Sequence, residues 1–273
     1  RLDGVTGVQT CALPICVRRK RKSSIVVGLE LVKEGKASAF FSAGNTGAVV
    51  CAATLELRLL PGIERPGIGI VTPTLKGVSF IIDVGANIDP KPIQLLQYGI
   101  MADAYCRNIL NKDNPAVGLL NIGEEEAKGN EFMREVHELL SKSRLNFIGN
   151  VEGKDLFSGK CDIIISDGFV GNVALKVSES AAEAMQVFLK RHLLSSIMGK
   201  IGLFFLLPGL KRFKKDIDYA EYGGAPLLGV NGVVIIGHGR SNARAIKNAI
   251  RVAKEEIERG VNEKIIESVK AVP

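Results

Sequence analysis

The sequence predicts an α/β fold, a three-layer α/β/α sandwich about a mainly parallel sheet. From Ala37 onward, short β-branched or aromatic runs alternate with segments of helical spacing, the alternation that places helices on both faces of a sheet. Three of these runs, at Phe40–Gly47, Ile163–Asn172 and Val233–Asn242, stop in the same way, at a loop with Gly and Asn before a helical pattern begins. Parallel sheets bind ligands off the carboxyl ends of their strands, where Gly lets backbone amides and helix N-termini approach an anion. Ordinary βα turns favour the same residues. The expectation is that the three loops meet in one site.

At 273 residues, 46% hydrophobic and 24% charged, the chain has the composition of a globular protein of one large or two modest domains. It has no Trp and few aromatics, which argues against a base-stacking nucleic-acid platform. Its net charge of +7 suits anionic partners such as phosphate, an acidic protein or a membrane surface without choosing among them. Cys51, Cys106 and Cys161 lack metal-ligand spacing and read as reduced, mostly buried thiols. No stretch approaches the length of a membrane span, and no signal peptide is apparent.

Residues 1–16 do not behave like the remainder and read as a foreign, adapter-like segment outside the fold; a metal site at Cys11 and Cys16 would lack companion ligands. The folded domain is expected at 17–273, opening on the basic run Arg18–Lys22. Ser23 or Ser24 caps a helix through Val32, ended by Gly35, and Ala37–Phe41 is a buried strand followed by an Ala/Leu-rich helix, Ala48–Leu60. Gly67–Thr72 and Val78–Val84 are strands, the second leading into Asp83–Asn87, a fourth loop of the same style. Pro90 and Pro92 introduce a long helix through Asn108. Val117–Ile122 is the next strand, followed by a loop through Asn130 and a helix to Leu140; Phe147–Val151 and Asp162–Ser166 are strands. Tyr219–Leu228 reads as a Gly-rich connection, Val233–Gly237 as the final strand, and Ser241 onward as a terminal helix with Arg244, Lys247 and Arg251 on its polar side.

Between Glu183 and Asp216 no acidic residue occurs, yet seven Lys or Arg do, and Ile201–Leu207 is continuously apolar. An apolar tip flanked by cations is what interfacial membrane binding requires. A helix packed in the core or in a dimer interface fits the same pattern.

Several chemistries lack their signatures. There is no Walker loop, no third Gly for a dinucleotide fingerprint at Gly237–Asn242, no G-x-S-x-G elbow, and no nucleophile–base pairing for His137, His192 or His238.

Seven segments, Ser42–Ala48, Asp83–Asn87, Gly118–Glu125, Lys128–Glu131, Asn146–Glu152, Ser166–Asn172 and Glu221–Ala225, resemble in order the bacterial phosphate acyltransferases of the PlsX family. The resemblance implies a homodimer of isocitrate/isopropylmalate dehydrogenase-like fold that moves a long-chain acyl group from acyl carrier protein to inorganic phosphate. The product would be acyl phosphate for phospholipid synthesis, used by a downstream acyl-phosphate:glycerol-3-phosphate acyltransferase. It also implies peripheral attachment to the inner face of the cell membrane through a helical hairpin at about 186–216, with Ile197, Ile201, Leu203, Phe204 and Phe205 in contact with lipid. Family members begin with a strand and Asp-Ala-Met-Gly-Gly-Asp, absent here, so the domain is expected to lack its amino-terminal part, with activity of the chain itself open. No cofactor, metal or nucleic acid is called for.

Because a thioester is already activated, the site need only orient two anionic reactants and stabilise an oxyanion. Lys128 is the first candidate for charge stabilisation; as a surface lysine it would instead balance Glu124–Glu126. Asn172 is the second, as an amide donor or as a helix cap. Asn45, Thr46, Gly47, Asp83, Asn87, Asp167 and Gly168 are candidate phosphate-positioning groups, and His238 is either an acid–base group or a structural histidine. The competing functions are an acetyl-CoA:phosphate acyltransferase, a nicotinamide-dependent dehydrogenase, and a non-catalytic membrane or partner-binding module.

Overall fold

The computed structural model describes residues 17, 20–194, 198, 202, 205–206, 208–209 and 223–271. Eight strands form one sheet: β1 (Ala39–Ser42), β2 (Gly67–Thr74), β3 (Gly77–Ile82), β4 (Ala116–Leu120), β5 (Asn146–Val151), β6 (Ile163–Ile165), β7 (Ala225–Leu228) and β8 (Val233–Ile236). Their order is β1-β8-β7-β2-β3-β6-β4-β5. The helices are α1 (Ser24–Lys33), α2 (Thr46–Glu56), α3 (Pro92–Asn108), α4 (Glu131–Ser141), α5 (Gly168–Leu194), α6 (Ala243–Glu258) and α7 (Val261–Lys270).

Alternation along each strand sorts the core into two layers. Phe80, Ile82, Ile163 and Ile165 point to one face, where α3, α4 and α7 cover them. Ile81, Ile164, Val234 and Ile236 point to the other, under α1 and α2. On the first face α6 covers Val233 and Ile235 with Ala249, Val252 and Ala253. The three-layer α/β/α sandwich is therefore as expected. α3 is buried along most of its length, and its Tyr105 stacks on Phe80 with ring centroids 4.6 Å apart. Cys106 and Cys161 are buried free thiols and Cys51 is half-buried; burial pushes the Cys161 thiol up to about 12.

Three details depart from the sequence-based expectation. Ala225–Leu228, read as part of a connection, is strand β7, inserted antiparallel between β2 and β8. The terminal helix is two helices, α6 and α7, broken at Gly260, whose left-handed φ of 60° cannot continue the first. The helix after the Ser166–Asn172 motif begins at Gly168, so Asn172 sits in its first turns and not in the loop.

The antiparallel pairs decide which strand ends share a side of the sheet. β3, β6, β4 and β5 run parallel to one another, and so do β1 and β8. The β3–β2, β2–β7 and β7–β8 pairs are each antiparallel, three reversals that leave β1 and β8 opposed to the β3–β5 half. Beside β1, an open groove of about 420 Å³ runs against α6, lined by Phe40, Phe41, Ala249, Ala253 and Ile257.

Glu256 lies in α6 at 4% exposure with its Oε1 unpartnered, and burial pushes its carboxyl up to about 8. The folded chain thus holds this proton after the unfolded chain has released it near 4.5, so stability falls as pH rises from about 4.5 to about 8. Glu256→Gln removes that slope. Urea unfolding at pH 8.5 is expected to show the variant more stable than the parent by about 5 kcal/mol, shrinking toward zero at pH 4.5.

Candidate active site

The buried carboxylate of Asp83 organises the first part of the site. Asp83 follows β3 and is fully buried. Its Oδ1 accepts from Ile68 of β2 at 2.9 Å, Ala86 at 3.0 Å and Gly85 at 3.1 Å; its Oδ2 accepts from Asn87 at 2.7 Å and Ala86 at 3.1 Å. Burial pushes the carboxyl up to about 6, against the downward pull of these backbone bonds. The side chain expected to position phosphate is spent inside the protein, and it occupies the amides of Gly85, Ala86 and Asn87. Asn87 points inward as well, donating to Gln94 Oε1 at 3.0 Å while its carbonyl accepts from Gly168 at 2.9 Å.

The start of α5 packs on this loop. A Cβ on Gly168 would lie 2.6 Å from the Asn87 carbonyl oxygen and from Asp83 Oδ2, and one on Gly171 would lie 2.0 Å from the Asp83 carbonyl oxygen. Asp167 caps the helix, its Oδ1 accepting from Phe169 at 2.9 Å and Val170 at 2.8 Å. With Gly168 bound to Asn87 and Gly171 to the Asp167 carbonyl, the first amides of α5 are all engaged. An anion here must be met by side chains. Asn172 supplies one: it is exposed and lies against Gly85, 3.6 Å from the position of a Cβ there.

Lys128 stands at the same end of the sheet. β4 pairs parallel with β6, so the 121–130 loop leaves beside the β6–α5 connection. Lys128 is exposed, and no ion pair among the described residues holds its ammonium. Glu124 pairs instead with Lys154 at 3.2 Å and Lys160 at 3.3 Å. This removes Glu124 from the alternative in which Lys128 balances its own loop.

Asn45, Thr46, Gly47 and His238 form a second group. Asn45 Oδ1 accepts from Ala48 at 2.9 Å, capping α2, while the Thr46 and Gly47 amides meet no acceptor among the described residues. The His238 loop lies alongside: Gly237 donates to the Ser42 carbonyl at 2.8 Å, and His238 Nδ1 accepts from the Arg240 amide at 3.2 Å. These loops follow β1 and β8, which run opposite to β3, β4 and β6. Within one chain, the expected single cluster is therefore two groups, at opposite ends of the strands. α5 connects them: Gly168 begins it beside Asp83, and Glu183, fifteen residues on (183 − 168), pairs with Arg240 at 3.3 Å. At 1.5 Å per residue that is a span of roughly 22 Å.

Two residues that the sequence did not single out, Asn121 and Asn150, bind the turn that carries Lys128. Both lie in segments that carry the family resemblance, Gly118–Glu125 and Asn146–Glu152, and Asn150 is also a carboxamide inside the apolar run 147–151. Of the expected lipid contacts, Phe205 is helical and 74% exposed; Ile197, Ile201, Leu203 and Phe204 lie outside the described residues. Among the described residues no helix is long and apolar enough to cross a membrane.

Comparison with known proteins places the chain in a family. The model of the family "Fatty acid synthesis protein" matches residues 5–264. A phosphate acyltransferase of Pelobacter propionicus is 50% identical over 253 residues, covering 93% of this chain and 73% of that protein. One from Pelotomaculum thermopropionicum is 50% identical over 258 residues, covering 94% and 75%. Among solved structures, a Streptococcus pyogenes phosphotransacetylase superposes with a TM-score of 0.55 at 16% identity, over 90% of this chain and 67% of that one. A branched-chain phosphotransacylase from Enterococcus faecalis gives 0.55 at 15% identity, over 85% and 78%. At such identities these two speak to fold alone.

Gly171→Ala tests how α5 is seated. The added methyl meets backbone, not a mobile side chain, so the variant is expected to lose about 2–3 kcal/mol in chemical denaturation, whereas Gly153→Ala, where nothing lies within 4 Å, stays near the parent. With half its residues shared with phosphate acyltransferases along nearly its whole length, this chain belongs to the phosphate acyltransferase family, whose members are acyl-transferring enzymes.

Proposed function

We propose that the chain transfers a long-chain fatty acyl group from acyl carrier protein to inorganic phosphate, giving acyl phosphate for phospholipid synthesis. The observation that carries this is the location, at the same end of neighbouring parallel strands β4 and β6, of an ammonium without an ion pair among the described residues, Lys128, and an exposed carboxamide, Asn172, in a chain of this family. An oxygen of hydrogen phosphate attacks the thioester carbonyl; the carbonyl oxygen takes up the negative charge; the C–S bond then breaks, and the carrier thiolate leaves and takes up the proton that the hydrogen phosphate gives up. Lys128 meets the charge that builds on the phosphate and the oxyanion, and Asn172 donates a hydrogen bond to one of them. Asp83, Asn87, Asp167 and Gly168 serve as the scaffold that fixes Asn172. The loops of Asn45, Thr46, Gly47 and His238 stand outside this assignment.

Two further parts of the proposal concern surroundings. A homodimer is supported by apolar side chains left exposed along α5, among them Phe169, Val173, Val177, Met185 and Phe188. Attachment to the inner face of the cell membrane is supported by the exposed Met198, Phe205 and Leu206 beside a sequence rich in Lys and Arg.

The test is purified protein with palmitoyl-acyl carrier protein, with and without inorganic phosphate, and detection of acyl phosphate. Phosphate-independent loss of thioester would make it a hydrolase, and turnover of acetyl-CoA alone would move it to the short-chain enzymes. Lys128→Ala and Asn172→Ala are each expected to lower turnover by about tenfold or more, the order expected for one preorganised donor; near-parent rates in both would remove them from the reaction. Phe205→Asp is expected to abolish co-sedimentation with anionic lipid vesicles at an unchanged melting temperature, and undiminished co-sedimentation would overturn the membrane assignment.

A further inference from the structure

We infer that Asn150 is a positioning residue for acyl transfer, one that fixes the turn from which Lys128 reaches the reactants; this rests on the role proposed above for Lys128. Asn150 lies one residue from the end of β5, at 3% exposure, opposite Leu119 of β4. Its Nδ2 donates to the Glu125 carbonyl at 2.9 Å, and that carbonyl also accepts from the Lys128 amide at 3.0 Å. One oxygen thus joins the sheet to the turn and closes the turn on Lys128. On the other side, Asn121 Nδ2 donates to the Lys128 carbonyl at 3.1 Å, while its Oδ1 accepts from Ile122 at 2.8 Å. The backbone of Lys128 is therefore held from its amide side by β5 and from its carbonyl side by the end of β4.

The second carboxamide atom of Asn150 points the same way. Its Oδ1 is buried with no partner, a cost that an aliphatic residue at this position would avoid. Asn150 lies in an otherwise apolar strand end, with Val151 beside it fully buried. What a carboxamide adds there, and Leu or Val cannot, is the bond to Glu125. The loop has few other anchors. Glu125, Glu126, Ala127 and Lys128 are all exposed, and a Cβ on Gly123 would already touch the Lys128 side chain at 2.8 Å, so the turn folds on itself and not onto the core. Displacement of a charge-stabilising group by ~1 Å is enough to lower a rate by one to two orders of magnitude.

Asn150→Leu keeps the branching at Cγ and removes both polar atoms; Asn150→Asp keeps the shape and removes the donor when its carboxyl is ionised. Palmitoyl-acyl carrier protein and inorganic phosphate are the substrates, with melting temperature and amide exchange of residues 92–108 confirming the fold. Each variant is expected to lower kcat about tenfold with KM for phosphate within about twofold, to raise amide exchange across 121–130, and to cost less than about twofold more in a Lys128→Ala background. A parent-like kcat in Asn150→Leu overturns the inference, as does a loss that recurs at full size without Lys128, which would mark a general structural role. If Lys128→Ala itself is silent, the role of Lys128 falls and Asn150 falls with it; if Lys128→Ala is impaired and the Asn150 variants are not, only the Asn150 assignment is lost.

Discussion

Asp83 is the constraint on which the candidate site depends. Its carboxylate takes backbone amides from two directions, Ile68 on the neighbouring strand and Gly85 through Asn87 on its own loop. A buried charge is tolerable only where its lone pairs are met, so the loop has one way to fold around it. That loop then presents the Asn87 carbonyl to Gly168, and two glycines let α5 close against it. Asn172 inherits its place from this stack. The exposed carboxamide is only as well aimed as the buried acid two layers beneath it.

The same division of labour recurs at Lys128. The Lys128 side chain is exposed, and the groups that hold its backbone belong to strand ends. In both cases an exposed polar side chain rests on a backbone that a residue on or next to the sheet holds in place. This arrangement lets a surface group be rigid without being buried, which an anionic reactant in water requires. It also explains why α5 is capped by Asp167 and not left open. The helix terminus contributes position.

Most of the fold could be read in the sequence because β-branched runs and the Pro and Gly punctuation are local signals. The run Ile163–Ile165, the paired prolines before α3 and the Ser23 cap of α1 all appear as expected. Strand direction could not be read, since it is settled by which neighbours pair, and that is a tertiary matter. β7 illustrates why: Ala-Pro-Leu-Leu after two glycines has the look of a connection, and nothing in it announces a strand that helps reverse half the sheet. The burial of Asp83 was hidden for the same reason. An Asp in a Gly/Asn loop looks like a ligand until the amides that surround it are placed, and Ile68, fifteen positions earlier, is one of them.

The reversal at β2 and β7 leaves a molecule with two chemically distinct poles, one carrying Lys128 and Asn172, the other the open amides of Thr46 and Gly47. Among the described residues they share no side-chain partner, and the bridge between them is a long helix, fastened at one end by glycine packing and near its middle by an exposed ion pair. Energetic perturbations at the two poles should accordingly sum with little cross-talk. Sequence drift at either pole is then free to proceed without compensation at the other, so long as α5 keeps its seat.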